Sequence, residues 1–364
     1  MMKLAFISLG LLFLLLGCEE SAKITPSSKI IKIGVLAPLS GTHKDLGIQG
    51  ILGIKAALKM ERYLQNRDKI VLVIVDTRST EEDSRKALKK LVDAEVVAIF
   101  SFMGSGRTLA LKDEFNAVKI PIIATLSTDK NIVSLDGYIS QVCMDNDTQM
   151  IIASHYIRDE ELIQDVGIIY SSDSKYYSLL ADDFKKYFTI LGGKVNFFID
   201  ISSKKGLAEF ENIKNSDISM LFSSIKSNAT HKVVKTIKTQ KFDFKVLGVN
   251  GSIDSELDSF YVIEHYADDV LKSDKREELE GILEKESLKN RGYAFLSYDG
   301  YQLLRYALKN CHNYSSECIN ARIKNSDIIK GFSGNFIMLN SRAKREVYID
   351  KIEDGRLKKE VVVY

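Results

Sequence analysis

The chain has 364 residues, 45% of them hydrophobic and 27% charged, with a formal net charge of +2. Without a basic excess it lacks the electrostatic footprint that nucleic acid or another acidic polymer would require. With this apolar content it can bury a large core, and its length suits two lobes better than one.

At the N-terminus, Lys3 is followed by an apolar run from Leu4 to Leu16. That run is shorter than the roughly 20 residues of a membrane span and has the length of a signal peptide's apolar region. It ends in Leu15-Leu16-Gly17-Cys18, which resembles the bacterial lipobox, whose cysteine is acylated before cleavage. Residues 1–17 are therefore expected to be a signal peptide and Cys18 the lipid-bearing N-terminus. Residues 18–29, with Glu19, Glu20, Ser21 and Thr25-Pro26-Ser27-Ser28, read as a polar tether. An ordinary signal peptide with a chance cysteine is the alternative. The longest later apolar stretches, Ile70–Val75 and Val96–Met103, are the length of buried strands. The expected location is the periplasmic or extracellular face, with the protein anchored through Cys18.

From Lys29 the pattern alternates. Ile30–Ala37 reads as a buried strand stopped by Pro38, Ser40 and Gly41, and Leu46–Gln65 has helical spacing through Ile48, Ile51, Leu52, Leu58 and Leu64. Lys69–Asp76 is the next strand, and Thr80-Glu81-Glu82-Asp83 opens a helix buried through Leu88, Leu91 and Val92. Strand Val96–Phe102 meets a Gly104-Ser105-Gly106 turn and a helix through Ala117, and Ile120–Thr125 is a fourth strand. This βαβαβαβ series predicts a parallel sheet covered on both faces.

The alternation restarts after Asp145. Strands are predicted at Val166–Tyr170, Lys194–Ile199, Ile218–Phe222 and Phe244–Val249, with helices at Gln149–Arg158, Tyr177–Leu191 and Thr230–Gln240. Beyond Asp269 come helices at Asp274–Leu288, Tyr293–Lys309 and Glu317–Lys330. Gly331-Phe332-Ser333-Gly334 follows, then β-like pieces at Asn335–Leu339, Arg345–Ile352 and Arg356–Val363. The expected fold is α/β, two doubly wound parallel-sheet lobes. The late helices complete the first lobe (30–142 plus 268–337), and the last strands return to the second (143–267 plus 338–364).

Of the four cysteines, Cys311 and Cys318 lie close together in a chain expected to be exported. A disulfide between them is expected, worth roughly 2–3 kcal/mol through loop entropy; two free buried thiols are the alternative. Cys143, within apolar Ile139–Met144, reads as a core residue. The five histidines show no metal-ligand spacing, so neither metal nor cofactor is implied. Gly104-Ser105-Gly106 lacks the P-loop ending, no Gly-x-Ser-x-Gly occurs, and Asp76 and Asp299 have no catalytic partner at a suitable spacing. An enzyme is not indicated.

Ile33-Gly34-Val35-Leu36-Ala37-Pro38-Leu39-Ser40-Gly41, Gly47 and Gly53, Val73-Ile74-Val75-Asp76-Thr77, Val96-Val97-Ala98-Ile99, Ile120-Pro121-Ile122-Ile123 and Tyr298-Asp299-Gly300 together carry a resemblance. In their order and spacing they resemble the type I periplasmic binding proteins of the branched-chain amino acid class, the substrate-binding components of ABC importers. The resemblance implies two lobes joined by three crossings, near Ser140–Asp145, Glu264–Asp269 and Phe336–Asn340, which close over a ligand. It also implies a monomer that presents its closed form to a membrane permease. It places a ligand carboxylate at the Ser105-Gly106 turn, where the family's serine falls on Gly106 with Ser105 beside it; the neighbouring Arg107 either adds a positive charge or points into solvent. It places the ligand's polar end at Ser127 and Thr128, and an aromatic contact at Tyr176 or its neighbour Tyr177. Two positions depart from the amino acid binders: Leu46 stands for an aromatic residue and Asn250 for the acid that pairs the ligand's ammonium. Asparagine cannot neutralise a buried ammonium, so the expected ligand is a small polar or anionic metabolite other than a standard α-amino acid. The alternative function is a ligand sensor or a protein-interaction or assembly factor built on the same fold.

Overall fold

The computed structural model describes residues 28–213, 218–249, 260–267, 273–285, 291–354 and 356–363. The expected signal peptide, Cys18 and Asn250 lie outside them. Each half of the chain alternates strand and helix. The first half runs β1 (Ile30–Ala37), α1 (Lys44–Met60), β2 (Lys69–Asp76), α2 (Glu81–Asp93), β3 (Ala98–Ser101), α3 (Ser105–Ala110), α4 (Lys112–Ala117), β4 (Ile122–Ala124) and β5 (Ile139–Gln141). The second runs α5 (Asn146–His155), β6 (Asp165–Tyr170), α6 (Lys175–Ile190), β7 (Lys194–Asp200), α7 (Lys204–Glu211), β8 (Met220–Ser224), α8 (Ser227–Gln240), β9 (Lys245–Gly248) and β10 (Tyr261–Glu264). There follow α9 (Asp274–Lys285), α10 (Gly292–Lys309), α11 (Ser316–Lys324), β11 (Phe336–Leu339), β12 (Arg342–Arg345), β13 (Val347–Glu353) and β14 (Arg356–Val363).

These strands form two seven-stranded sheets, ordered β11-β12-β5-β4-β3-β1-β2 and β14-β13-β10-β9-β8-β6-β7. The parallel part of each is wound alike, with its first strand between the second and third, so the chain reverses direction at the first strand. That reversal opens a crevice at the strands' C-terminal ends. Local chemistry sets the elements. In β1 the apolar β-branched run Ile30–Ala37 is buried from Ile33 onward. The Thr80 hydroxyl caps α2 by accepting the Asp83 amide at 3.1 Å, and three acids fill the helix's first turn. Gly47 and Gly53 let α1 come close to its neighbours. A Cβ at Gly47 would lie 2.1 Å from the Pro38 carbonyl oxygen, and one at Gly53 2.0 Å from that of Ala294 in α10.

The expected helix through Ala117 is two short helices, broken at buried Leu111, where the backbone leaves helical geometry (φ −106°, ψ 9°). α11 ends at Lys324 and not at Lys330, because Ser326 and Ile329 donate to the carbonyls of Met338 and Phe336 in β11. Strand β10, absent from the sequence reading, pairs parallel with β9 and antiparallel with β13.

The chain leaves the first sheet at Gln141 and enters α5 in the second lobe at Asn146; it returns between Glu264 and Asp274. The third crossing differs from the expectation at Phe336–Asn340. Asn340 and Ser341 take positive φ (50° and 67°) and turn β11 back into β12. β12 then pairs with β5 through Arg342 and Gln141, and the chain crosses only at Glu346, before β13. Residues 338–345 therefore belong to the first sheet, not to the second lobe.

Buried polar groups bind these crossings to the first lobe. Arg345 donates from Nη1 to the Val142 carbonyl at 3.0 Å, and from Nη2 to the Asp299 carboxylate and the Ser333 carbonyl, each at 3.0 Å. Asp299 in turn accepts the amides of Phe332 and Ser333. Arg276 donates to the Ala267 carbonyl at 2.8 Å. Cys311 and Cys318 form a disulfide that joins the end of α10 to α11.

Candidate functional site

The first-lobe candidates all follow strand C-termini, and most of their polar groups are already engaged by the protein. The Ser105 hydroxyl oxygen accepts the amides of Thr128 (3.0 Å) and Asp129 (3.1 Å). Buried Ser127 donates its hydroxyl to the Met103 carbonyl at 2.8 Å and shares a 2.7 Å bond with Thr108. The Ser127 carbonyl takes both the Gln141 side-chain amide (2.6 Å) and the Cys143 thiol (3.0 Å). Thr128 also gives its carbonyl to the amide of Asn146. These loops thus hold β3, β4 and the first crossing together. Gly106 faces open space, with nothing within 4 Å of a Cβ placed there. Leu46 is half-buried and packs against the main hydrophobic core.

Arg107 differs from its neighbours. Its Nε and Nη2 are buried with no hydrogen-bond partner, and burial presses its pKa below the ordinary guanidinium value. His43, just before α1, has its pKa lowered by burial, then by the charges of Arg107 and of Lys226. Lys226 follows β8 in the second lobe, where it pairs with Asp173 at 3.7 Å. Arg107 of the first lobe and Lys226 of the second thus both lie within electrostatic reach of His43.

A second cluster joins the lobes more deeply. Tyr176 and Tyr177 open α6, with their rings 5.0 Å apart and edge-on, and Ser224 of β8 secures the Tyr177 carbonyl at 2.7 Å. Tyr293, in the first turn of α10, belongs to the first lobe. Burial drives the pKa of Tyr176 well above that of a free phenol, and Tyr293, Tyr177, Glu264 and Cys143 push it further. Tyr177 rises to about 12 through burial and the charges of Glu264 and Asp173. Burial, Tyr177, Glu264 and Cys143 raise Tyr293 in the same way, and Cys143 itself is lifted to about 12 by burial. All three tyrosines are thus neutral hydroxyls at any physiological pH, and they converge from both lobes on the crossings at Cys143 and Glu264.

Sequence reasoning reached Tyr176, Tyr177 and Arg107 and put Glu264 at a crossing, but assigned no part in the site to Tyr293, Glu264, His43 or Lys226. Tyr293 carried one signal, its place at a helix start; the others become neighbours only when the lobes come together. Asp76 and Asp299 are engaged structurally. Asp76 accepts the Leu39 and Arg78 amides, each at 2.8 Å, and Asp299 holds Arg345. Among the described residues no group of three or more His, Cys, Asp or Glu could hold a metal ion, and no helix is long and apolar enough to cross a membrane.

A family model described as periplasmic binding protein matches residues 30–356. Among solved structures, the chain is similar to a leucine-binding protein from Thermotoga maritima (20% identity, TM-score 0.76, covering 92% of this chain and 98% of that one). It is similar to a branched-chain amino acid transporter substrate-binding protein from Streptococcus pneumoniae in complex with isoleucine (18%, TM-score 0.75, 92% and 99%). A solute-binding protein of an ABC transporter from R. palustris, in complex with 4-hydroxybenzoate, matches equally well (19%, TM-score 0.76, 92% and 97%). A search of curated proteins returns no match.

Proposed function

The chain belongs to the periplasmic binding protein family, and on that premise we propose that it captures a small polar or anionic molecule between its lobes for an ABC importer. The observation that carries this reading is the convergence of Tyr176 and Tyr177 from one lobe with Tyr293 from the other, beside crossing residues Cys143 and Glu264. A ligand held there touches both lobes and so favours the closed arrangement, and only differential contact of that kind can shift a hinge equilibrium. The neighbours' ligands, isoleucine and 4-hydroxybenzoate, are of the size this reading requires. With Leu46 and Asn250 at the two departing positions, the ligand is not a standard α-amino acid.

The test is a thermal-shift screen of small metabolites, followed by calorimetry and small-angle scattering. A true ligand raises the melting temperature as its concentration passes Kd, by about 2.7 kcal/mol of stability at 100 times Kd, and reduces the radius of gyration. A panel of acids, amides, sugars and amino acids that leaves both unchanged would refute the reading. Tight calorimetric binding of leucine or valine would refute the exclusion of α-amino acids.

The same reading makes Cys18 the lipidated N-terminus after loss of residues 1–17, tethering the cleft near its permease through the polar segment 18–29. Mass spectrometry of the mature protein should find a diacylglyceryl-modified Cys18, and Cys18→Ser should move the protein from the membrane to the soluble fraction. An unmodified Cys18 in the membrane-bound protein would count against the anchor.

A further inference from the structure

Several exposed cations of the first lobe are held by acids: Lys59 by Glu278, Arg85 by Glu114, Lys86 by Glu82 and Lys89 by Asp93. Lys29, Arg62, Arg67 and Lys69 differ, for none of the four makes an ion pair among the described residues. The acids nearest them in the chain are already engaged. Glu61 meets Lys275 and Arg305. Asp68 is buried and ionised, and accepts the Lys29 amide at 2.6 Å, the Asn66 side-chain amide at 2.7 Å and the Tyr314 hydroxyl at 2.6 Å. Backbone pairing gathers the four cations. Lys69 lies beside Ile30 in the ladder of β1 and β2, Tyr63 bridges to Lys69, and the Ile70 amide donates to the Arg62 carbonyl at 3.0 Å. Arg67 occupies the turn between Tyr63 and Lys69, at φ 68°. Among these charges stand two large apolar side chains that the fold leaves uncovered, Ile30 (67% exposed) and Tyr63 (57%).

Cations around an exposed aliphatic and an exposed tyrosine suit the headgroup layer of an anionic bilayer. The apolar bodies enter the interface, while lysine and arginine meet lipid phosphates. The chain also enters the fold at this patch, where Asp68 fixes the Lys29 amide. The segment from Cys18 to Ser28 spans at most about 40 Å even when fully extended. We propose that this end of the first lobe rests on an anionic lipid bilayer, with Ile30 and Tyr63 in the headgroup layer and Lys29, Arg62, Arg67 and Lys69 against lipid phosphates. This draws on the reading of Cys18 as the lipidated N-terminus, which holds the patch near the membrane. The patch lies at the N-terminal ends of the parallel strands, opposite the crevice, so the contact leaves the cleft open to solute. It orients a tethered protein; four charges alone are too few to keep an untethered one on the membrane at physiological salt.

The experiment uses the mature chain from Glu19 onward, made without lipid and retaining every described residue, in co-sedimentation with vesicles at low ionic strength. One set is phosphatidylethanolamine with about one-third phosphatidylglycerol, as the anionic surface; the other replaces phosphatidylglycerol by phosphatidylcholine. The chain is expected to bind the first set and not the second, and to be released as salt rises. Each lysine or arginine near such a surface favours binding about five-fold, so Arg62→Gln with Arg67→Gln should weaken it about 25-fold. Tyr63→Ser should also weaken binding while leaving its salt dependence unchanged. Lys86→Gln with Lys89→Gln, which removes two paired cations of α2, should bind like wild type. All these side chains are exposed, and equal melting temperatures check that the variants fold. Failure to bind the anionic vesicles, equal binding to both sets, or full affinity in the double arginine variant would overturn the proposal. So would a concentration-dependent dimer that Tyr63→Ser dissolves, which would give the patch to a second copy of the chain. The anchor is read separately: an acylated Cys18 in a protein whose unlipidated chain ignores anionic vesicles sinks the patch alone. An unmodified Cys18 in a chain that binds them sinks the anchor alone.

Discussion

His265 sits at the second crossing, buried, with its Nδ1 unbonded. Burial, and after it the charge of Arg345, lowers its pKa to about 3. An unfolded histidine titrates near ~6.5, so between these two values the unfolded chain takes up a proton that the folded chain refuses. The neutral form costs nothing extra above ~6.5, and stability falls as the pH drops below that value, by about 1.4 kcal/mol per pH unit. Between pH 7 and pH 5 this single residue should remove about 2 kcal/mol. Urea denaturation of His265→Leu at both pH values should show a difference smaller by that amount; an unchanged difference would mean that His265 is protonated in the fold. Arg345 works at the same scale in the opposite sense, because its charge is paired. Arg345→Met would strand the Asp299 carboxylate, exposed to 0% at its side chain, at a cost of about 3–5 kcal/mol. Asp299→Asn in the same protein should recover part of that loss, as read by the same denaturation curves.

The contact between α1 and α10 depends on a residue with no side chain. A Cβ at Gly53 would stand 2.0 Å from a backbone carbonyl, which cannot rotate away as a flexible side chain would. Gly53→Val is therefore expected to force the helices apart and cost about 1–3 kcal/mol or more, despite the better helix propensity of any non-glycine residue. Circular dichroism melts would check this, and a Gly53→Val protein as stable as wild type would show that α1 can shift freely. The glycines of α1 were legible in the sequence as part of a pattern; their reason was not, because Ala294 lies far along the chain. The same limit explains the late elements. The residues after Lys324 keep a helical spacing, but bonds to β11 claim their amides, and tertiary pairing overrides local propensity. β10 has four residues, Tyr261–Glu264, too few for any periodicity to mark.

At the scale of the whole molecule, one ion pair among the described residues, Lys130 with Asp147, links the lobes beside the crossings. These side chains are 51% and 24% exposed, so solvent screens them and the pair contributes about 1 kcal/mol or less. Lys130→Ala should leave the melting temperature nearly unchanged while shifting ligand-free scattering toward a larger radius of gyration. A scattering curve identical to wild type would mean that the crossings alone set the lobe angle. The sequence by itself determined the alternation of strand and helix, the two sheets and the cysteine pair, because periodicity and spacing are local properties carried by neighbouring residues. Only the tertiary structure decided the placement of the third crossing at Glu346, the engagement of the Ser105 and Ser127 hydroxyls by backbone groups, and, among the described residues, the lack of a hydrogen-bond partner for Nε and Nη2 of Arg107. Each of these depends on partners brought together from distant positions: Arg345 meets Val142 across 203 residues and Asp299 across 46. Whether a polar group is free to meet a ligand depends on which such partners have already claimed it.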